Sequence, residues 1–278
     1  MLALPWVYPP CRAAVRSKWM PSLPFGLLDR WLSPAPSPAR IDWLAGQSYA
    51  HRGLHAPGLP ENSPAAFAAA MARGMGIECD IQRSRDGHAM VFHDATLDRL
   101  TSEQGPVASR SAEELGRITL VGGTDRIPTL RQVLDQVAGA APLLIEIKSP
   151  KDDGHRIGAL CLAVRRVLEG YQGRHAIMSF DPRIVRWFAD HSPLTTRGLV
   201  VTEENDKALP GMVRRRLALW HAKPHFLAYD IRDLPSRFAA GQRQRGLPVL
   251  TWTVRSSEHR ERAARHADAP IAEGAGVA

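Results

Sequence analysis

From residue 47 onward short β-rich runs alternate with longer stretches of helical period, and this alternation constrains the fold more than any other feature of the chain. The candidate strands are Gln47–His51, Gly76–Gln82, Pro142–Lys148, Arg174–Phe180, Arg197–Val201, His225–Asp230, Pro248–Val254 and Pro270–Ala272. Helical patterns lie between most of them: Pro64–Arg73, Thr129–Val137, His155–Leu168, Pro182–His191, Lys207–Trp220 and Ser256–His266. Strands that alternate with helices run parallel, because a parallel pair needs a long crossover and a helix supplies it. Eight such units close naturally into a (β/α)8 barrel, the TIM barrel of the α/β class, and 278 residues suffice for one. The barrel is expected over residues 41–278, after a Pro-rich extension over 1–40. One stretch breaks the pattern. A second β run, Ala89–His93, follows Gly76–Gln82 across the turn Arg85-Asp86-Gly87. Residues 94–127 then lack a clean period, which predicts a small insertion after strand 2, of the kind that serves as a functional loop or lid.

The extension holds eight prolines and ends in Ser33-Pro34-Ala35-Pro36-Ser37-Pro38, the signature of an extended tail or linker. Its basic residues Arg12, Arg16 and Lys18 come late, and prolines stand at 5, 9 and 10, so no secretory signal is expected. Met20 is an alternative start. The cluster Trp19, Leu23, Phe25, Leu27, Leu28, Trp31 and Leu32 has two readings: packing against the barrel or its floor, or a weak contact with a membrane surface. No run approaches the roughly 20 apolar residues of a membrane-spanning helix. Cys11, Cys79 and Cys161 are few and odd in number, which argues against a disulfide framework and for a reducing, cytoplasmic compartment. A net charge of +8 suits anionic partners. No nucleic-acid motif is present and aromatics do not interleave with the basic runs, so no nucleic-acid partner is expected. The run Arg214-Arg215-Arg216 fits a solvated helix face. Nothing in the sequence fixes an oligomeric state.

Chemistry concentrates in a few places. In Gly76-Ile77-Glu78-Cys79-Asp80-Ile81, side chains two apart share a face, so Glu78 and Asp80 point together and Ile77, Cys79 and Ile81 point away. Leu143–Lys148 repeats the device, with Glu146 and Lys148 on one face and Ile145 and Ile147 on the other. Ionised groups on apolar strands are costly unless paired or metal-bound. One reading is a structural ion pair with Lys148. The other follows from position, since both segments end at the face where barrel enzymes carry their chemistry. Three carboxylates converging there repel, and a divalent cation removes that repulsion. An all-oxygen set favours Mg²⁺ or Ca²⁺ over Zn²⁺. Of the eleven histidines, His51 and His93 stand at strand ends beside charged neighbours. Imidazole titrates near neutrality, so such a pair supplies one acid and one base.

These residues carry a resemblance. His51-Arg52-Gly53, Glu61-Asn62-Ser63-Pro64-Ala65-Ala66-Phe67, Ile77–Ile81, Asp86-Gly87, Val91-Phe92-His93-Asp94 and Leu97-Asp98-Arg99-Leu100-Thr101 follow one another as in the glycerophosphodiester phosphodiesterases. Ile127-Pro128-Thr129-Leu130, Glu146-Ile147-Lys148, Ser179-Phe180 and Trp252-Thr253-Val254 extend the likeness over roughly residues 48–274. The resemblance implies that Glu78, Asp80 and Glu146 hold the metal and that His51 and His93 are general acid and base, in an order left open. It implies that Arg52 and Lys148 hold phosphate oxygens, with Glu61 and Asn62 at the substrate site; Trp252 has two readings, packing over the glycerol or a core tryptophan. The implied reaction is hydrolysis of a small-molecule glycerophosphodiester to sn-glycerol 3-phosphate and an alcohol through a cyclic phosphate. Lysophospholipase D-like action on lysolipids and a non-catalytic lipid-binding barrel are the alternatives. Two positions depart from the family pattern: Arg255 stands where many relatives have Asn, and the last strand ends Ala272-Glu273-Gly274 in place of a Thr-Asp ending.

Overall fold

The computed structural model describes residues 23–150, 154–204 and 207–277. Its strands are β1 (Tyr49–Ala50), β2 (Gly76–Arg83), β3 (Ala89–Val91), β4 (Leu143–Ile147), β5 (His175–Ser179), β6 (Thr196–Val201), β7 (Phe226–Asp230), β8 (Val249–Val254) and β9 (Ala269–Ala272). Its α-helices are α1 (Leu23–Leu32), α2 (Pro38–Ile41), α3 (Pro64–Ala72), α4 (Ala112–Leu115), α5 (Leu130–Val137), α6 (Gly154–Leu168), α7 (Pro182–His191), α8 (Leu209–Ala222), α9 (Arg237–Gln244) and α10 (Ser257–His266). β1 pairs with β2, β2 with β4, and β4 to β9 follow in chain order until β9 returns to β1, every pair parallel. Eight parallel strands therefore close on themselves, and β3 hangs from β2 as an antiparallel partner. This is the expected TIM barrel, with each expected strand present.

The strands are apolar on both sides because both sides are covered. Leu144, Ala176, Met178, Val200, Phe226, Ala228, Leu250 and Ile271 fill the interior. Gly198 makes room for that layer, since a Cβ there would lie 2.3 Å from the Phe226 ring. Outward-facing Ile77, Cys79, Ile145 and Ile177 pack under α3, α5, α6 and α7. Helix α5 shows how the sequence sets such a contact. Leu130, Val133, Leu134 and Val137 recur at helical spacing and are all buried. A capping box between Thr129 and Gln132 starts the helix.

Part of the stretch expected to be an extended tail is helical. Helix α1 lies on α8 and α9, where Trp220 of α8 and Gln242 of α9 donate to the buried Asp29 at 2.7 and 2.8 Å and Arg216 of α8 stacks over Phe25. After the proline run, Ile41 and Leu44 join the interior cluster and close the N-terminal end of the barrel. Trp19, Cys11 and the rest of residues 1–22 lie outside the described residues. Helix α9 was not anticipated: in Arg237–Gln244 only Phe238, Ala239 and Gln242 turn inward, too few to print a period. The insertion forms a small core of its own from Met90, Phe92, Leu97, Val107, Leu115, Leu120 and Ile127. No helix among the described residues is long and apolar enough to cross a membrane.

Candidate active site

Every group of interest stands at the C-terminal end of the barrel strands. The turn after β1 is built from left-handed backbone, with φ of 56° at Arg52 and 78° at Gly53. A Cβ on Gly53 would stand 2.9 Å from Ala66 Cβ, so only glycine fits without displacement. This turn aims the Arg52 backbone N–H at Glu78 Oε2, 2.9 Å away, and its guanidinium at Glu61 Oε1, 2.8 Å away, with Nε 3.3 Å from Asp80. Asn62, itself left-handed and fully buried, clasps Asp80 twice: its Nδ2 donates to Oδ2 at 2.9 Å and its Oδ1 accepts the Asp80 N–H at 3.2 Å. Glu61 spends both oxygens on Arg52 and Arg99.

Glu78, Asp80 and Glu146 are buried at 1%, 1% and 8% exposure, and ligand oxygens from all three lie within 4.8 Å of one another. The register explains the convergence, since Asp80 on β2 sits beside Glu146 on β4. Lys148, one step past β4, bridges Asp80 at 2.7 Å and Glu146 at 2.5 Å. The ion pair weighed in the sequence is thus real, yet it leaves three carboxylates facing two cations. Burial, and then Asp80 and Glu146, push the Glu78 carboxyl well above its usual range. Glu146 is raised by burial despite Lys148. Burial works against Asp80 as well, but Lys148 and Arg52 hold it below the usual carboxylate range. Buried excess negative charge on three convergent hard oxygens is a donor set that fits Mg²⁺ or Ca²⁺.

Two imidazoles flank the carboxylates. His51 is buried, its backbone N–H held by Ala272 O at 2.9 Å, and its Nδ1 hydrogen-bonds to Glu273. His93 is half-buried, and its Nδ1 donates to Asp94 Oδ1 at 2.6 Å. Both feel the charge of Asp80, and burial lowers the pKa of both. A carboxylate can only accept, so Nδ1 carries the proton in each ring and Nε2 keeps its lone pair. Glu273 also lies 3.4 Å from His55 Nε2 and receives Arg255 Nε at 2.5 Å. Burial opposes its ionisation, but His51, His55 and Arg255 together drive its pKa far down. Asp94 in turn receives Arg99 at 2.6 Å. At the mouth Trp252 stacks edge-on with Phe180, ring centroids 5.4 Å apart, and its indole N–H donates to Ala228 O.

All ten residues singled out from the sequence (His51, Arg52, Glu61, Asn62, Glu78, Asp80, His93, Glu146, Lys148 and Trp252) stand at this end of the barrel. Four residues were missed: Glu273, Asp94, Arg99 and His55. Barrel closure was the available signal for Glu273, because a last strand that pairs with the first sets the residue after it beside His51. The two positions that depart from the family pattern, Arg255 and Glu273, bind each other.

Comparison with known proteins follows the same residues. The sequence model of the glycerophosphoryl diester phosphodiesterase family matches residues 51–273. A glycerophosphodiester phosphodiesterase of Caldanaerobacter subterraneus subsp. tengcongensis is 29% identical over 225 residues, covering 77% of this chain and 87% of that relative. Among solved structures, an Oleispira antarctica phosphodiesterase in complex with the product sn-glycerol-3-phosphate superposes with a TM-score of 0.73 at 22% identity, covering 84% of this chain and 94% of that one. The Thermotoga maritima glycerophosphodiester phosphodiesterase gives 0.65 at 24% identity, covering 81% and 93%.

Proposed function

The chain belongs to the glycerophosphoryl diester phosphodiesterase family, and from that premise we propose that it hydrolyses glycerophosphodiesters to sn-glycerol 3-phosphate and an alcohol. The observation that carries this reading is the convergence of three buried carboxylates with two carboxylate-anchored histidines at the active end of a closed barrel. In it, residues 41–278 are the catalytic barrel, 94–127 its insertion and 1–40 an extension. The free, buried Cys79 and Cys161 support the cytoplasmic setting expected from the sequence.

Glu78, Asp80 and Glu146 are the residues that would hold a divalent cation. When bound, such an ion supplies Lewis acidity, neutralising phosphate charge and lowering the pKa of a hydroxyl beside it. The chain's own groups do the rest. Arg52 and Lys148 counter charge on the non-bridging phosphate oxygens. One histidine takes the proton of the glycerol 2-hydroxyl as its oxygen attacks phosphorus. The other gives a proton to the departing alcohol as the P–O bond breaks, each step contributing about 10²–10⁴ in rate. Water then opens the resulting cyclic phosphate with the two proton roles exchanged. Glu273 and Asp94 fix each ring with Nε2 toward the reaction, as anchoring carboxylates do. Asn62 and Glu61 are braces for Asp80 and Arg52, because their polar atoms are already committed there. Trp252 forms one wall for the glycerol moiety.

The test is product analysis by ³¹P NMR on a panel of deacylated glycerophosphodiesters and lysolipids. The reading expects sn-glycerol 3-phosphate and a transient cyclic phosphate from the deacylated substrates. Release of phosphocholine in place of choline from glycerophosphocholine would refute it. The lysolipid alternative is kept open by one observation, the exposure of Leu27 and Trp31 on α1.

A further inference from the structure

Helices α1 and α8 pack side by side on one flank of the barrel, and both turn apolar side chains to solvent. On α1, Leu27 is 69% and Trp31 is 79% exposed; on α8, Leu209 is 69% and Leu217 is 55% exposed, with Met212 and Val213 also open. The buried side of α8 is Gly211, Arg215, Leu219 and Ala222, so Leu209, Val213 and Leu217 lie on the opposite, outward side of the helix and Met212 at its flank. A monomer rarely leaves several large apolar groups together in water, since each forfeits the free energy of burial.

Charge says what fits there. Arg30 and Arg214 are exposed on the same helices, Arg216 is half-buried beside them, and α8 contains no acidic residue. The one acid of α1, Asp29, is buried under Trp220 and Gln242. A second copy seated on this flank would bring arginine against arginine, a like-charge contact that disfavours it. Leucine and tryptophan tips among arginines, with no solvent-facing carboxylate on either helix, suit the boundary between acyl chains and anionic headgroups. Leu209 begins α8 after β6, whose C-terminal end is the active end, so the patch starts near the barrel mouth and runs down the flank.

We infer that the α1–α8 flank is a docking surface for anionic lipid bilayers. The inference extends the weak contact expected of the N-terminal segment alone to a two-helix face, and it stands apart from the chemistry proposed above.

The experiment is flotation of the full chain with phosphatidylcholine vesicles, with and without phosphatidylglycerol, alongside turnover of soluble glycerophosphocholine. The full chain should float with the anionic vesicles and lose binding as salt rises. The double variant Leu27→Glu/Trp31→Glu should bind about tenfold more weakly or worse, the loss expected when apolar anchors no longer enter the interface. Arg30→Ala/Arg214→Ala should also weaken binding, and soluble turnover should be unchanged in each. If the α1 variant loses soluble turnover through misfolding, Leu209→Glu/Leu217→Glu on α8 carries the same test. Absence of flotation, equal flotation by the variants, or a dimer in solution that these substitutions dissociate would overturn the inference. The last outcome assigns the face to a second copy. Intact turnover without lipid binding rejects the docking alone, whereas absent turnover in the unsubstituted chain rejects the catalytic reading.

Discussion

Replacing Glu78 with Gln separates the cation's contribution from that of the fold. Of the three carboxylates, Asp80 has Lys148 at 2.7 Å and Arg52 at 3.3 Å, and Glu146 has Lys148 at 2.5 Å. Glu78 accepts the Arg52 backbone N–H at 2.9 Å and, among the described residues, has no cationic side chain at ion-pair distance. At 4.8 Å and an effective dielectric of about 20, each pair of ionised carboxylates repels by roughly 3.5 kcal/mol. Keeping a proton on a carboxyl at pH 7 costs about 3.4 kcal/mol relative to its ordinary value of 4.5. Burial and its two carboxylate neighbours outweigh the opposing Lys148 charge and push Glu78 toward its protonated form when no cation is bound, and Gln is the near-isostere of that form. In chelated protein Glu78→Gln is therefore expected to change stability by less than about 1 kcal/mol. With a cation at a hundredfold over its Kd, the unsubstituted protein should gain about 2.7 kcal/mol, or roughly 5–10 °C in Tm for a chain of this size. The variant should lose most of that gain. Because a cation binds the ionised carboxylate, its entry should release protons from this raised group, read by titration calorimetry in buffers of different ionisation enthalpy. The sign with pH follows. A carboxyl raised in the folded state favours folding below pH 4.5 and loses that contribution as pH climbs through its folded value, so chelated protein should weaken on the alkaline side while cation-loaded protein does not. No cation-dependent shift in the unsubstituted chain, or an equal shift in Glu78→Gln, would refute this reasoning.

Other expectations follow from the same geometry. His51→Ala and His93→Ala should each lower kcat by about 10²–10⁴ with an unchanged circular dichroism spectrum. Glu273→Gln and Asp94→Asn should lower it by about 10–100-fold, the usual cost of a lost anchoring partner. Gly53→Ala forces a Cβ to 2.9 Å from Ala66 at a φ of 78°, and should cost about 1–3 kcal/mol in urea unfolding. His225 is buried, its Nδ1 has no hydrogen-bond partner among the described residues, and burial followed by Arg197 lowers its pKa to about 3. The unfolded chain then binds the extra proton, so stability should fall by up to about 1.4 kcal/mol per pH unit as pH drops below 6.5, a slope that His225→Asn should flatten.

What the sequence could disclose was set by the range of the interaction. Glu78 and Asp80 were legible as a pair because two-residue alternation is local, and Glu146 because its strand repeats the device. The helix at Leu130–Val137 was legible because its apolar period and its capping box lie within nine residues. Glu273 lies 222 residues from the histidine that it anchors, and no local pattern records that contact. Its neighbour Arg255 appeared only as a departure from the family pattern, and the meaning of both changes lies in their ion pair at 2.5 Å. The N-terminal segment was legible only as two readings, an extended tail or packing against the barrel. Its composition is that of a tail, but Phe25 and Asp29 find partners on α8 and α9 that composition cannot encode.

The most direct test of the catalytic centre is glycerol 3-phosphate release from glycerophosphocholine by exhaustively chelated protein, titrated with Mg²⁺ or Ca²⁺. Five acidic and imidazole side chains acting with a single hard cation predict no turnover at the start, a rise that saturates at one ion per chain, and none at any concentration in Asp80→Asn. Full-rate turnover in the chelated protein would contradict it.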